Sequence, residues 1–188
     1  MERVASAPPE YAAAAPTLPP QLKVLMLLAS VILCIAGVFG GATNAINAWI
    51  SPDYFHNLLG IGWSDAVARG VLEGSAFGLL FSLIVTTTVA FITGDACDYR
   101  SAFLLVGRLL LIELALWIAG GVCGLLLAAG FPGDFRATFF QAPDEHGPLL
   151  RFAWVGGSIW GAEFAGLAAT VFLLIRFAAR WRRKIMRE

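Results

Sequence analysis

Charge is scarce in this chain. Asp, Glu, Lys and Arg make up 14% of its 188 residues, against about 25% in an ordinary soluble domain. Cysteine is scarce as well. Cys34, Cys97 and Cys123 fit neither a zinc nor a haem spacing, and Cys34 and Cys123 lie inside apolar runs, so free thiols are expected rather than a disulfide framework, a metal site or a cofactor. Cys97 stands in Gly94-Asp95-Ala96-Cys97-Asp98, which reads as a polar turn, with a weak metal site as the alternative. The histidines, His56 and His146, fall one in each of two polar stretches. Solvated surface is expected for each, although either could share a site with Asp53, Asp134 or Asp144. The chain has no HExxH, no Gly-x-Ser-x-Gly, no Walker loop and no carboxylate pair in a loop, so no enzymatic activity is expected.

What the chain has in excess is apolar surface. Hydrophobic residues make up 59% of it, and the mean hydropathy is +0.76. One small soluble core could not hide that surface, whereas a bilayer can, because lipid takes the place of the core. The net charge is zero, yet Arg176, Arg180, Arg182, Arg183, Lys184 and Arg187 crowd the C-terminal end. A balanced total with a basic tail points to membrane orientation rather than to nucleic acid.

Residues 1–21 are rich in Ala and Pro and read as a disordered cytoplasmic tail. They do not read as a signal peptide, because the apolar run after Lys23 exceeds the roughly 7–15 residues of a signal core. Four apolar segments follow, at about 22–48, 66–93, 102–130 and 150–178. Each exceeds the roughly 20 residues that cross the hydrocarbon. Unpaired backbone groups are not tolerated in lipid, so each must be helical, even the β-branched run Ile84-Val85-Thr86-Thr87-Thr88-Val89. The predicted fold is therefore all-α: a polytopic four-transmembrane-helix bundle over 22–178, closed by a basic cytoplasmic tail at 179–188. With an even number of crossings both termini share a side, and the positive-inside rule makes that side cytoplasmic. Arg3, Lys23 and Arg100 agree. A multi-pass protein of a bacterial inner membrane is expected.

The two remaining loops then face out. In the first, Ser51 can cap a helix, Pro52 suits its first turn, Asp53 favours the positive end of the dipole and Gly60 can end it. Tyr54, Phe55, Leu58 and Leu59 would form one apolar stripe on a short interfacial helix. The stretch Pro132-Gly133-Asp134-Phe135-Arg136-Ala137-Thr138-Phe139-Phe140 reads the same way. Trp49, Trp63, Phe131 and Trp154 fit an aromatic belt.

The halves of the chain rhyme. Ile35-Ala36-Gly37-Val38-Phe39-Gly40 resembles Ile118-Ala119-Gly120-Gly121-Val122-Cys123-Gly124, and each half carries a glutamate near small residues, Glu73 and Glu163. A duplication would be parallel, with its axis along the membrane normal; chance matching of apolar runs is the alternative. Small residues also recur at helical spacing. Gly70, Gly74, Gly78, Ser82 and Thr86 form one seam, and Gly157, Gly161, Ala165 and Ala169 another. Ser30, Cys34, Gly37, Gly41 and Asn44 mark the first helix, and Gly120 and Gly124 the third. Such seams let helix backbones approach closely in lipid, within one chain or against a second copy.

The informative residues are the ionisable ones in the spans: Glu73, Glu113 and Glu163, with Arg69 and Arg108. A charge at mid-bilayer costs at least about 2.5–3.5 kcal/mol, so such groups face the bundle interior. Arg69 and Glu73 can pair at i, i+4, at the depth of Asn44. Arg108 either snorkels to the cytoplasmic surface or pairs with another helix. Burial favours neutral carboxyls and a nearby guanidinium favours charged ones, so the state of each glutamate depends on where the arginines lie.

The stretches Asn44-Ala45-Ile46-Asn47-Ala48-Trp49-Ile50-Ser51-Pro52-Asp53-Tyr54-Phe55 and Trp154 to Gly161 resemble segments of uncharacterised bacterial four-helix membrane proteins. That resemblance implies the fold and no activity. Two functional classes stay open. One is a structural or accessory component that associates with itself or with another membrane protein. The other is a small proton- or cation-coupled transporter or channel using Glu113 and Glu163. A dry, close-packed interior favours the first, and a polar path through the bundle favours the second.

Overall fold

Three of the helices open on proline, whose fixed φ suits a first turn and whose missing N–H costs nothing there. In the computed structural model, which describes residues 19–94 and 99–186, these are α1 (Pro20–Ile50), α2 (Pro52–Leu59) and α5 (Pro132–Thr138). Between and after them run α3 (Trp63–Thr93), α4 (Tyr99–Gly130), α6 (His146–Trp160) and α7 (Gly166–Ile185). A single π-helical turn, Gly161–Ala165, joins α6 to α7. The result is the expected all-helical bundle: 91% of it is helix, and four runs are long and apolar enough to cross a membrane. The fourth run extends from His146 to Lys184 through the π turn. Most of the tail expected at 1–21, and the Cys97 turn, lie outside the described residues, although Pro20 and Gln21 already belong to α1.

The spans pair as two antiparallel hairpins, each zipped by glycine. In the first, α1 packs on α3. A Cβ at Gly40 would strike the Gly70 carbonyl oxygen, and one at Gly74 would strike the carbonyl oxygen of Ala36. In the second, α4 packs on α6. A Cβ at Gly120 would strike the Gly157 carbonyl oxygen, and one at Gly161 that of Leu116. Backbone meets backbone at both seams, and this gives the van der Waals contact that holds helices together in lipid. The two seams match: Gly40 takes the place of Gly120, Gly70 that of Gly157 and Gly74 that of Gly161. In this register Glu73 corresponds to Trp160, so Glu73 and Glu163 occupy different places in the two hairpins.

The seams differ in detail from their expected course. On α1, Ser30 and Cys34 face outward, and the closest approach to α3 runs through Ala36, Gly40 and Asn44, flanked by Gly37 and Gly41. On the fourth span the regular spacing ends at Gly161. The π turn shifts the small-residue contact to Gly166, where a Cβ would strike the Glu113 carboxylate.

The hairpins meet chiefly at their two ends. At the end where α1 begins and α7 finishes, the basic end, Leu28, Ile32, Val85, Val89, Leu105 and Leu174 form one buried cluster. At the opposite end, the loop end, Ala48, Tyr54, Phe55, Ala66, Phe152 and Val155 form another. Helix α2 sits at the loop end with Tyr54 and Phe55 turned into the protein, where Phe55 is 2% exposed. Gly60 closes α2 with φ 67°. Its N–H donates to the His56 carbonyl at 2.9 Å and the Ile61 N–H to the Phe55 carbonyl at 3.2 Å, a left-handed cap that costs glycine little. The Ser51 side chain makes no cap. Its hydroxyl is buried without a partner, while its backbone N–H donates to the Asn47 carbonyl at 2.9 Å and closes α1.

Of the expected aromatic belt, Trp49, Trp63 and Phe131 are exposed. Trp154 instead stacks edge-on against Trp117, with ring centroids 5.8 Å apart, over the Cβ-less face of Gly121.

Candidate functional site

A helical zip needs small residues on one face only, so each hairpin can present larger side chains to the other. Between the two end clusters those side chains do not close. They leave a cavity of about 150 Å³ in the middle of the bundle. From α1 it is lined by Ile35, Ala36, Phe39, Gly40, Thr43 and Asn44, and from α3 by Glu73, Phe77 and Phe81. From α4 come Leu109, Leu110, Glu113 and Trp117, and from the fourth span Ile159, Ala162, Glu163 and Thr170.

Glu73, Glu113 and Glu163, read from the sequence as one polar cluster with Asn44, therefore stand on one cavity, although three helical runs supply them. On α4, Glu113 lies about 21 Å from the Tyr99 end and about 25 Å from the Gly130 end at 1.5 Å per residue. That is the middle of a helix long and apolar enough to cross the hydrocarbon. Glu163 lies about 25 Å along its span. Glu73 lies nearer the loop end, about 15 Å from Trp63. Asn44 donates from Nδ2 to the Ala66 carbonyl at 3.2 Å, which ties α1 to the start of α3 beside the cavity.

The π turn bears on this geometry. It adds a residue to one turn of helix, and Glu163 lies inside it. Beyond it, Gly166 leaves room for the Glu113 carboxylate to lie on bare backbone. Such turns recur at functional sites, because they re-aim side chains that a regular helix would send elsewhere.

Neither Arg69 nor Arg108 lines the cavity. Arg69 pairs with Glu73 as the spacing predicts, Nε to Oε1 at 2.6 Å, but both side chains are about half exposed (45% and 43%), and a pair so open contributes little to stability. Arg108 is exposed on α4 and makes no ion pair among the described residues. Among the described residues no Lys or Arg lines the cavity, so Glu113 and Glu163 have no counter-charge on its wall.

Two further polar groups lie on this wall. Thr170 is 1% exposed and Trp117 is 8% exposed, and neither Thr170 Oγ1 nor Trp117 Nε1 has a hydrogen-bond partner. Both sit in apolar runs, where a threonine ordinarily bonds its own helix and a tryptophan packs. A third residue, Tyr54, joins from the loop end, with its ring 3.4 Å from the Cβ position of Gly156. Burial pushes its hydroxyl above the ordinary value of 10.0; the negative charges of Glu163 and Glu73 add to the effect, and Arg69 opposes it. Tyr54 thus stands in the buried loop-end cluster, within electrostatic reach of Glu163 and Glu73.

Nearby, Ser158 Oγ donates to the Val155 carbonyl at 2.9 Å and lies 3.3 Å from Asn47 Oδ1. This buried contact joins the two hairpins. Among the described residues no cluster of His, Cys, Asp and Glu could hold a metal ion.

Fold and site together define a multi-pass membrane protein with an acidic cavity between two glycine-zipped hairpins. No protein-family model matches the chain, and no curated protein or solved structure is similar enough to carry a family or a function.

Proposed function

We propose that this chain is a small proton- or cation-coupled membrane transporter in which Glu113 and Glu163 carry the coupled charge. The observation that carries this reading is the convergence of Glu113 and Glu163, with the Arg69-paired Glu73 nearby, on one cavity that no Lys or Arg lines among the described residues. Charge in such a place is balanced by protons or by a bound cation, so a change of occupant is a change of protonation. The accessory role calls for a dry, close-packed interior, and the open middle of the bundle makes the transport reading the better one. Its work is binding and exchange, not bond making. The termini would lie in the cytoplasm of a bacterial cell, with the cavity reached alternately from either side.

The packing offers a way to do this. Each hairpin is held by backbone-to-backbone contact, while the hairpins touch each other mainly through the two end clusters. Rocking one hairpin on the other would loosen one cluster while keeping the second, the usual pattern for alternating access between paired repeats.

The test is Glu163→Gln in proteoliposomes loaded with a pH-sensitive dye, under an imposed potassium diffusion potential. Gln keeps the shape and cannot change charge. Wild type should move protons, and Glu163→Gln should fold, melt as wild type does and move none. Proton movement that survives in both Glu163→Gln and Glu113→Gln would leave the accessory role as the reading.

A further inference from the structure

We propose that the occupant of the cavity is a small arylalkyl amine, a single aromatic ring carrying an ammonium group, which arrives sideways from the bilayer. This rests on the reading of the cavity as a transport site.

Size, wall and charge each narrow the choice. The cavity measures about 150 Å³, the volume at which a protein cavity is known to take up benzene. It therefore suits one ring with a short arm. Most of the wall is apolar and much of it is aromatic: Phe39, Phe77, Phe81 and Trp117. A ring gains contact area there, and a cation gains from the aromatic faces. Against this wall stand Glu113 and Glu163, with Glu73 already paired to Arg69, and among the described residues no Lys or Arg lines the cavity. An anion would be repelled by any ionised carboxylate, and a neutral guest could neither take a proton from a carboxyl group nor form an ion pair with it.

The unpartnered groups point the same way. Thr170 Oγ1 and Trp117 Nε1 belong to side chains at least nine-tenths buried, and both line the cavity. A buried polar atom with no partner costs about 1–3 kcal/mol, so native proteins rarely keep one without a use for it. An ammonium group brings three donors, and Thr170 Oγ1 can accept one beside the carboxylates. Trp117 follows Glu113 by one helical turn on the same face, so its indole N–H is placed to donate to a carboxylate once the guest has made it charged.

The route follows from the seals. The basic-end and loop-end clusters close the cavity along the membrane normal. Phe77 and Leu110 line it and are each 36% exposed, so its openings face the hydrocarbon. An amine that partitions into lipid as the free base reaches it there. The amine nitrogen takes the proton of a glutamic acid, giving an ammonium–carboxylate pair with no other bond made or broken. The proton that the amine left in water on entering the lipid is the net release, one per ammonium taken from solution.

The full chain in detergent should be titrated calorimetrically with phenethylammonium, 2-phenylethanol and phenylacetate, which share a ring and arm but differ in charge. Two buffers of different ionisation enthalpy would count protons. Phenethylammonium should bind saturably with proton release, phenylacetate should not bind, and phenylethanol should bind far more weakly. Glu113→Gln and Glu163→Gln should weaken the amine about thirtyfold or more, as expected when one member of a buried charge pair is removed. If either variant fails to fold, Thr170→Val, which changes no charge and little volume, should still weaken the amine. Equal binding of all three probes, or no saturable binding of phenethylammonium by wild type, overturns the proposal. Wild-type proton movement in proteoliposomes together with no amine binding would retain the transport reading and sink the amine. Saturable amine binding with no proton release would sink the coupling and retain the amine site.

Discussion

Glycine does two different things in this protein, and the structure tells them apart. At Gly40, Gly74, Gly120, Gly124, Gly157 and Gly161 a Cβ would run into the backbone of the partner helix. Backbone cannot step aside as a flexible side chain can, so the helices must separate. At Gly107 and Gly130, both on α4, a Cβ would meet nothing within 4 Å. Gly161→Ala should therefore cost about 1–3 kcal/mol, the usual penalty for overpacking. That corresponds to a fall of roughly 2–4 °C per kcal/mol in the melting midpoint for a chain of this size. Gly107→Ala should leave the midpoint unchanged or raise it, because alanine is the better helix former by about 1 kcal/mol. Melting both variants in one mild detergent checks this, and equal midpoints would show that the α4–α6 seam is not a tight contact. Gly74→Leu and Gly161→Leu should be worse still, with the carbonyls of Ala36 and Leu116 in the way.

Among the elements, the four spans and both short loop helices were legible in the sequence, because hydropathy and proline positions report backbone need directly. The observed spans begin a few residues earlier than expected, at Pro20, Trp63, Tyr99 and His146, and the last runs past 178 to Ile185. These are polar-flanked ends, where composition says little. The face each helix turns inward was harder to read. In lipid both faces are apolar, so Ser30 and Cys34 scored like Gly37, although the first two are exposed and Gly37 is buried against Ser75, and the closest approach runs through Gly40, which the expected seam left out. The π turn left no trace that spacing could detect. Gly157, Gly161, Ala165 and Ala169 read as one unbroken seam, and the extra residue shows only in the folded helix. Glu73, Glu113, Glu163, Arg69, Arg108 and Asn44 were legible as one candidate cluster because charge in lipid is costly; the carboxyl groups and Asn44 line the cavity and the two arginines do not, while the cavity-lining Trp117 carries no such mark. For α2, the apolar stripe of Tyr54 and Phe55 was visible, but not that it would turn into protein.

That docking has a consequence in alkali. The Tyr54 hydroxyl titrates above 10.0 in the folded chain, first through burial and then through Glu163 and Glu73. Above pH 10.0 the unfolded chain gives up a proton that the folded chain keeps, so folding grows weaker as pH rises. Below that pH the contribution is fully present. Tyr54→Phe has nothing to titrate, so its melting midpoint should fall less steeply than wild type between neutral pH and strong alkali. Parallel curves for the two proteins would show that Tyr54 titrates as it does in the unfolded chain.

For the whole molecule, four spans and two matched hairpins put the N-terminal end of α1, the turn between α3 and α4 and the end of α7 on one side. Charge decides which side. Arg180, Arg182, Arg183 and Lys184 stand in the last turns of α7, where they also oppose the negative end of the helix dipole. The Lys184 ammonium lies 5.0 Å from the Trp181 ring, which buries its hydrocarbon face inward, and such an amphipathic end belongs at a lipid headgroup layer. The loop end is poorer in cations. Arg136 is held there by its own loop, with Nε donating to the Pro143 carbonyl at 3.2 Å and Nη2 donating to that of Asp144 at 2.5 Å. Arg136 is therefore tied to its own loop, whereas Arg180, Arg182, Arg183 and Lys184 are exposed at the end of α7; the positive-inside rule predicts that they meet an anionic cytoplasmic leaflet, each worth about 1 kcal/mol near that surface. A reporter enzyme active only in the cytoplasm should work when fused after Glu188 and fail when inserted within 132–148, and one active only outside should show the reverse. A periplasmic signal from the fusion after Glu188 would invert the molecule and place Tyr54 and the loop end on the cytoplasmic side.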